Sequence, residues 1–118
     1  MLDKNGAFLG GPICAGVGIS LEALTSKTSQ LPQISVETPK SVIGKNSVDS
    51  MKAGLVLGSA CMIDGLIERV ENEIGKVATV VATGGLAPEV VKNCKKDIII
   101  NDNLLLDGLK AIYEKNVK

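Results

Sequence analysis

The stretch from Asn46 to Gly75 constrains this chain more than any other part of it. It reads as one helix starting at Asn46 or Ser47 and running to about Ile74. Asn46 can cap the first turn, with Asp49 three residues on in a near capping-box arrangement. From Ala53 to Ile63 the residues are apolar or small nearly all round. Beyond that, Leu66, Ile67, Val70 and Ile74 form one stripe, with Glu68, Arg69, Glu71 and Glu73 largely outside it. A helix buried at one end and amphipathic at the other packs its first half against several neighbours. Gly75 supplies the stop. The Ala53–Ile63 run is broken by Gly and Ser and is too short on its own to span a bilayer. Gly54 and Gly58, one turn apart, mark a close helix crossing, within the chain or across a dimer.

The other elements are shorter. Asp3-Lys4-Asn5-Gly6 is a hairpin turn signal, with a strand expected from Ala7 to about Cys14. Only Met1 and Leu2 stand before that turn, so the first strand of the hairpin is nearly missing. Ser20 to about Ser29 reads as a helix ended by Leu31-Pro32, and Gln33 to Ile43 as an irregular connector closed by Gly44. Lys76 to Thr83 carries Val77, Val80, Val81 and Ala82 and suits a strand buried on both faces. A helix is expected from about Pro88 to Cys94, with Pro in its first turn. Asp97 to Ile100 reads as a short buried strand. Leu104 to about Asn116 reads as a helix with Leu105, Leu109, Ile112 and Tyr113 on its inner face. This alternation predicts an α/β domain with helices packed on a sheet, and the length of 118 residues predicts a single domain, 1–118.

Composition closes several doors. Thirteen basic residues balance thirteen acidic ones, which leaves no electrostatic footprint for nucleic acid or an anionic membrane. One Tyr, one Phe and no Trp offer little for base stacking. Cys14, Cys61 and Cys94 are odd in number and widely spaced, and there is no His, so a zinc site lacks ligands. These cysteines are expected to be reduced, buried and small-hydrophobe-like, and the protein soluble and cytoplasmic. The opening residues lack the pattern of a signal peptide.

Three clusters can carry chemistry. Thr83-Gly84-Gly85 follows a strand and precedes a helix, so glycines there let a ligand approach the backbone, and free N–H groups at the helix start favour a polar or anionic group. The same residues also suit a plain turn that binds nothing. Gly10-Gly11 and Gly16-Val17-Gly18 form a second cluster, neither a Walker loop nor a dinucleotide fingerprint, and more often packing than binding. In the third, Ser41 to Ser47, the Lys45 ammonium and Ser47 hydroxyl can face a ligand, or Asn46 can simply cap the helix with Lys45 in solvent. No residue qualifies as a general base. Asp49, Asp64, Asp102 and Asp107 are isolated, each with a capping, turn or surface role open to it.

Taken in order, these stretches resemble the second half of a type III pantothenate kinase. The resemblance rests on Gly10-Gly11-Pro12-Ile13-Cys14-Ala15-Gly16, Ile19 to Leu24, Leu31-Pro32 and Pro39 to Asn46. It continues through Met51 to Gly54, Asp64-Gly65, Thr83 to Pro88 and Leu106 to Leu109. The family has also carried the label Bvg accessory factor, a supposed transcriptional activator. The resemblance implies a ribonuclease-H-like lobe of the actin-like and sugar-kinase ATPase superfamily. It implies transfer of the ATP γ-phosphate to pantothenate in coenzyme A biosynthesis, with a divalent metal such as Mg, a monovalent cation such as K, and a homodimer. By position, Thr83, Gly84 and Gly85 resemble the adenosine-side loop, and Ser47 stands where the family usually has a pantothenate-contacting Thr. Gly10, Gly11 and Gly16 are candidate loop contacts, with Ala15 replacing a usual Pro. The phosphate loops and catalytic Asp of the family belong to its N-terminal lobe and have no counterpart in this chain. The expectation is therefore a C-terminal lobe inactive alone. The alternatives are a non-catalytic regulatory module and half of a split kinase needing a separate N-terminal lobe.

Overall fold

The computed structural model describes residues 1–77 and 79–117. It is a mixed α/β arrangement of five α-helices and a two-stranded parallel sheet among the described residues. The helices are α1 (Val17–Ser26), α2 (Ser47–Lys52), α3 (Gly58–Ile74), α4 (Ala87–Val91) and α5 (Leu104–Asn116). The strands are β1 (Val81–Ala82) and β2 (Ile99–Ile100), paired Val81 to Ile99 and Ala82 to Ile100, with α4 in the connection.

The long central helix forms as its sequence suggests, with one addition. Asn46 accepts from the Asp49 N–H at 2.9 Å and returns its amide to the Asp49 carboxylate at 2.9 Å, a reciprocal cap. Gly75 ends the helix at φ 91°, donating its N–H to Glu71. Between α2 and α3, Ala53–Leu57 forms a π-helical turn. Widening the helix there turns Ala53, Leu55 and Val56 inward together, beside Met51 and Ala60. The apolar-all-round run is thus a hub, with α1 and α4 both packed against the π turn. Val17 from α1 and Val90 from α4 complete the buried cluster. As one continuous element, Ser47–Ile74 is 28 residues long, long and apolar enough to cross a membrane by length and composition. The Ala53–Ile63 run alone is too short, but the helix that contains it is not. Its inward face packs against α1 and α4.

The connector 33–43 is irregular, as expected. Several other expectations need correction. The strand from Ala7 to Cys14 is reduced to one antiparallel bridge between Leu2 and Phe8. The turn itself is real: Asp3 accepts from the N–H groups of Asn5 and Ala7, and Gly6 takes φ 81°. A ladder cannot extend where its partner strand has so few residues. The first helix starts at Val17 rather than Ser20 and ends at Ser26, three residues short of Ser29. The helix expected over Pro88 to Cys94 is the shorter Ala87–Val91. The strands expected over 76–83 and 97–100 shrink to two residues each, and Ala78 lies outside the described residues. Neither is buried: Val81 and Ile99 are exposed. The predicted inner face of the last helix is also uncovered, with Leu105, Leu109, Ile112 and Tyr113 all exposed. The cysteines are unpaired, but Cys14 and Cys61 are exposed and Cys94 is half-buried. Burial, then Asp64 and Cys61 nearby, push the Cys94 thiol above its ordinary value.

A compact 12.3 kDa protein exposes about 6,100 Å², whereas this chain exposes 8834 Å². Its radius of gyration is 17.1 Å, against about 13.5 Å for a compact chain of this length. The periodicity of α5 and of the strands specifies faces for burial that the described residues leave uncovered.

Candidate functional site

The turn after β1 closes one end of an apolar cleft. Thr83 follows the strand directly, Gly84 turns the chain at φ 112°, and Ala87 donates its N–H back to the Gly84 carbonyl at 3.2 Å. The positive φ is a conformation that L side chains avoid, so glycine is needed at 84 for the turn itself. No side chain caps the start of α4. The opposite wall comes from the start of α1, where Gly16 precedes Val17 and accepts from the Ser20 N–H at 2.9 Å. Ser59, Met62 and Ile63 of α3 form the floor.

The cleft measures about 480 Å³. It brings together four of the seven site residues expected from sequence: Thr83, Gly84, Gly85 and Gly16. No charged side chain lines it; Thr83 and Ser59 supply the hydroxyls among Val17, Ile19, Met62, Ile63, Leu86 and Val91. An uncharged slot of this kind suits a flat, neutral ring system edged by backbone polar groups, and gives nothing to neutralise a polyphosphate.

Gly10 and Gly11 lie elsewhere. Gly10 adopts φ 114° and its carbonyl accepts from the Met1 ammonium at 2.6 Å. A Cβ on Gly11 would lie 3.9 Å from the Met1 nitrogen. Both belong to the N-terminal turn and neither lines the apolar cleft.

Ser47 lines a second hollow of about 520 Å³, with Lys45, Asn46, Ser50, Met51 and Gly54 at its edge. The two hollows have no lining residue in common. Ser47 and Ser59 are about 18 Å apart along the helix axis. Gly44 fixes the loop that delivers Ser47: a Cβ there would collide with the Ser50 backbone nitrogen and lie 2.6 Å from the Ser50 Oγ. That close approach, not torsion, requires glycine at 44.

Two carboxylates of the chain prove structural. Asp64 accepts from the N–H groups of Lys95 and Lys96 at 2.8 and 3.1 Å, anchoring the segment after α4 to α3. Glu89 reaches the connector: its Oε1 accepts from the Thr38 N–H at 2.6 Å and the Thr38 hydroxyl at 2.7 Å. Lys92 pairs with it at 2.8 Å. Hydrogen bonds from Lys92 and then from Thr38 hold the Glu89 carboxyl down at about 2. Sequence reasoning missed Glu89, because its partner lies 51 residues away and no local pattern signals it. The π turn was also missed, although an apolar run on all sides of a helix was its visible trace.

The fold is a mixed α/β arrangement with an uncharged apolar cleft at the carboxyl end of a parallel strand. Comparison with known sequences narrows this further. The family profile for type III pantothenate kinase matches residues 1–69. A type III pantothenate kinase from Acidothermus cellulolyticus is 41% identical over 117 residues, covering 99% of this chain and 46% of the relative. One from Myxococcus xanthus is 46% identical over 115 residues, covering 98% and 45%. One from Syntrophobacter fumaroxidans is 44% identical over 118 residues, covering 99% and 46%. The chain belongs to the type III pantothenate kinase family, and it spans about half the length of the curated relatives it matches.

Proposed function

We propose that this chain is one domain, the C-terminal, ribonuclease-H-like lobe of an ATP-dependent pantothenate kinase, and that it supplies the adenosine side of the nucleotide site and part of the pantothenate site. The observation that carries this reading is the uncharged cleft closed by Thr83, Gly84 and Gly85. Its apolar floor would sandwich a base, and the backbone polar groups at Gly84 and Gly85 would meet its edge. The Ser47 hydroxyl, beside Lys45, is the group for the second substrate. A hydroxyl there can donate to or accept from a pantothenate oxygen, and the Lys45 ammonium favours an anion.

Phosphoryl transfer relies on positioning and on charge neutralisation. This chain supplies positioning at both ends of the substrate pair. The charge for the phosphates is not in the apolar cleft. Among the described residues no group of three or more acidic, His or Cys side chains could hold a metal ion. The described residues thus offer no such cluster for the Mg that the family resemblance implies, and Mg and K are both assigned to the complete enzyme. The catalytic acid and phosphate loops are assigned to an N-terminal lobe, in the same polypeptide or a separate one. The chain is further read as cytoplasmic and homodimeric. The dimer contact is assigned to the shallow groove of Val42, Gly54, Leu57, Gly58 and Cys61 on the outer face of the long helix. Space is open at both glycines there.

A coupled assay with ATP and pantothenate tests the proposal. The chain alone should give no turnover above background. Supplying the N-terminal half of a relative should produce turnover. Robust turnover by the purified chain alone would contradict the division of labour. Failure to gain activity from a half that is itself folded and associated would contradict the assignment of this lobe.

A further inference from the structure

The cluster around Thr38 and Glu89 joins two parts of the chain that the proposed function assigns to different substrates. Thr38 is in the connector, immediately before Pro39. Proline fixes its own φ and confines the preceding residue to extended conformations, so Thr38 is a stiff point. From there residues 39–46 lead to Ser47, and Glu37, next to Thr38, pairs with Lys52 at the end of α2 at 3.4 Å. Gly44 abuts Ser50, and Asn46 is locked to Asp49. A shift at Thr38 therefore bears on α2, which begins at Ser47.

The other end of the cluster is equally tied. Glu89 lies in the first turn of α4, five residues beyond Gly84. Val90, next to it, is 4% exposed and belongs to both the core and the apolar cleft wall. A shift of α4 therefore moves the Gly84–Gly85 side of the cleft.

Between the two, the bonding is saturated on the Thr38 side. The Thr38 hydroxyl donates to Glu89 and accepts from the Asn93 amide at 2.8 Å. The same Asn93 amide group donates to the Glu89 carbonyl at 2.9 Å. Lys92 holds the second carboxylate oxygen. One carboxylate thus sets the distance between the connector and α4.

We infer that Glu89 is a positioning residue that couples the two hollows, so that filling the apolar cleft orders the loop carrying Ser47. This rests on the nucleotide reading of that cleft. Glu89 touches neither substrate in this scheme and acts through Thr38 on one side and α4 on the other.

Hydrogen–deuterium exchange of the whole chain, with ATP as the probe, tests the inference. Glu89→Ala removes the carboxylate, and Thr38→Val removes only the hydroxyl at nearly constant shape. Without nucleotide, each variant should exchange about two- to fivefold faster in both residues 37–45 and residues 84–88, the range of a partly exposed polar tie. With ATP, the wild-type chain should gain protection in both segments. Glu89→Ala should keep the gain at 84–88 and lose it at 37–45, which a purely structural clamp would not do. Connector protection by ATP that persists in Glu89→Ala would overturn the inference. So would faster exchange confined to the mutated residue's own segment. If ATP protects residues 84–88 in no variant, the nucleotide reading fails separately, and the ligand-free exchange still decides whether Glu89 links the segments.

Discussion

Gly44→Ala should destabilise the chain although the change adds one methyl group. The added Cβ would meet the backbone nitrogen and Cα of Ser50 and its Oγ at 2.6 Å. Two of these three are backbone atoms at the start of a capped helix, and a rotamer change cannot clear them. Either the 43–45 loop lifts off α2, or the first turn of the helix shifts and strains the Asn46–Asp49 cap. Overpacking of this kind costs about 1–3 kcal/mol. Reduced entropy of the unfolded chain returns about 0.4–1 kcal/mol. The net loss is therefore roughly 0–2.6 kcal/mol, centred near 1.3 kcal/mol. Gly65→Ala is the internal control, because nothing lies within 4 Å of its Cβ and it sits inside α3. That variant should match or exceed wild type by up to about 1 kcal/mol. Urea unfolding followed by far-ultraviolet circular dichroism, at one fixed protein concentration, measures both. A Gly44→Ala chain as stable as wild type would refute the close approach and, with it, the rigid delivery of Ser47.

Two further outcomes follow from the same geometry. Gly58→Leu should convert a sedimenting dimer to monomer. A monodisperse wild-type monomer at high micromolar concentration would rule the dimer out, and an unchanged dimer in the variant would rule out only the crossing at Gly58. The Glu89 carboxyl, held at about 2 against an ordinary 4.5, should stay ionised through the usual glutamate range. Its folded value lies below its unfolded one, so its contribution to stability is complete above about 4.5 and is lost as pH falls towards 2. The amide proton shift of Thr38 should therefore hold steady on acidification and collapse only near 2, and a midpoint near 4.5 would contradict the tie.

The elements that the sequence makes legible are those whose determinants are local. The Asn46 cap, the Gly75 stop and the turn at Asp3–Gly6 each depend on a few adjacent residues, and each forms where the side chains direct it. The apolar run at Ala53–Ile63 was legible as a multi-sided packing surface, while its π turn was not, since a widened turn leaves no distinct residue pattern. Burial was the poorest reading. The faces of α5, Val81 and Ile99 have the periodicity of a core, yet periodicity states only that a face requires cover, not which chain provides it. At the candidate site, the turn after a strand was legible from Gly84-Gly85, whereas the position of Gly16 across the cleft had no local signal. Glu89 escaped notice because a contact spanning 51 residues is a property of the fold alone.

The most direct test of the central claim is a crossed pair of steady-state kinetics in a kinase completed with its N-terminal half. Gly84 has φ 112°, where a β-branched side chain is strained even though its Cβ has open space. Strain of that type costs on the order of 1–3 kcal/mol, or roughly five- to 150-fold in binding. Gly84→Val should therefore raise the apparent ATP constant by about that factor and leave the pantothenate constant much less affected, whereas Ser47→Ala should do the reverse. Thermal melts identify simple unfolding. If both variants fold and both weaken pantothenate alone, Thr83-Gly84-Gly85 is a turn and not a nucleotide loop.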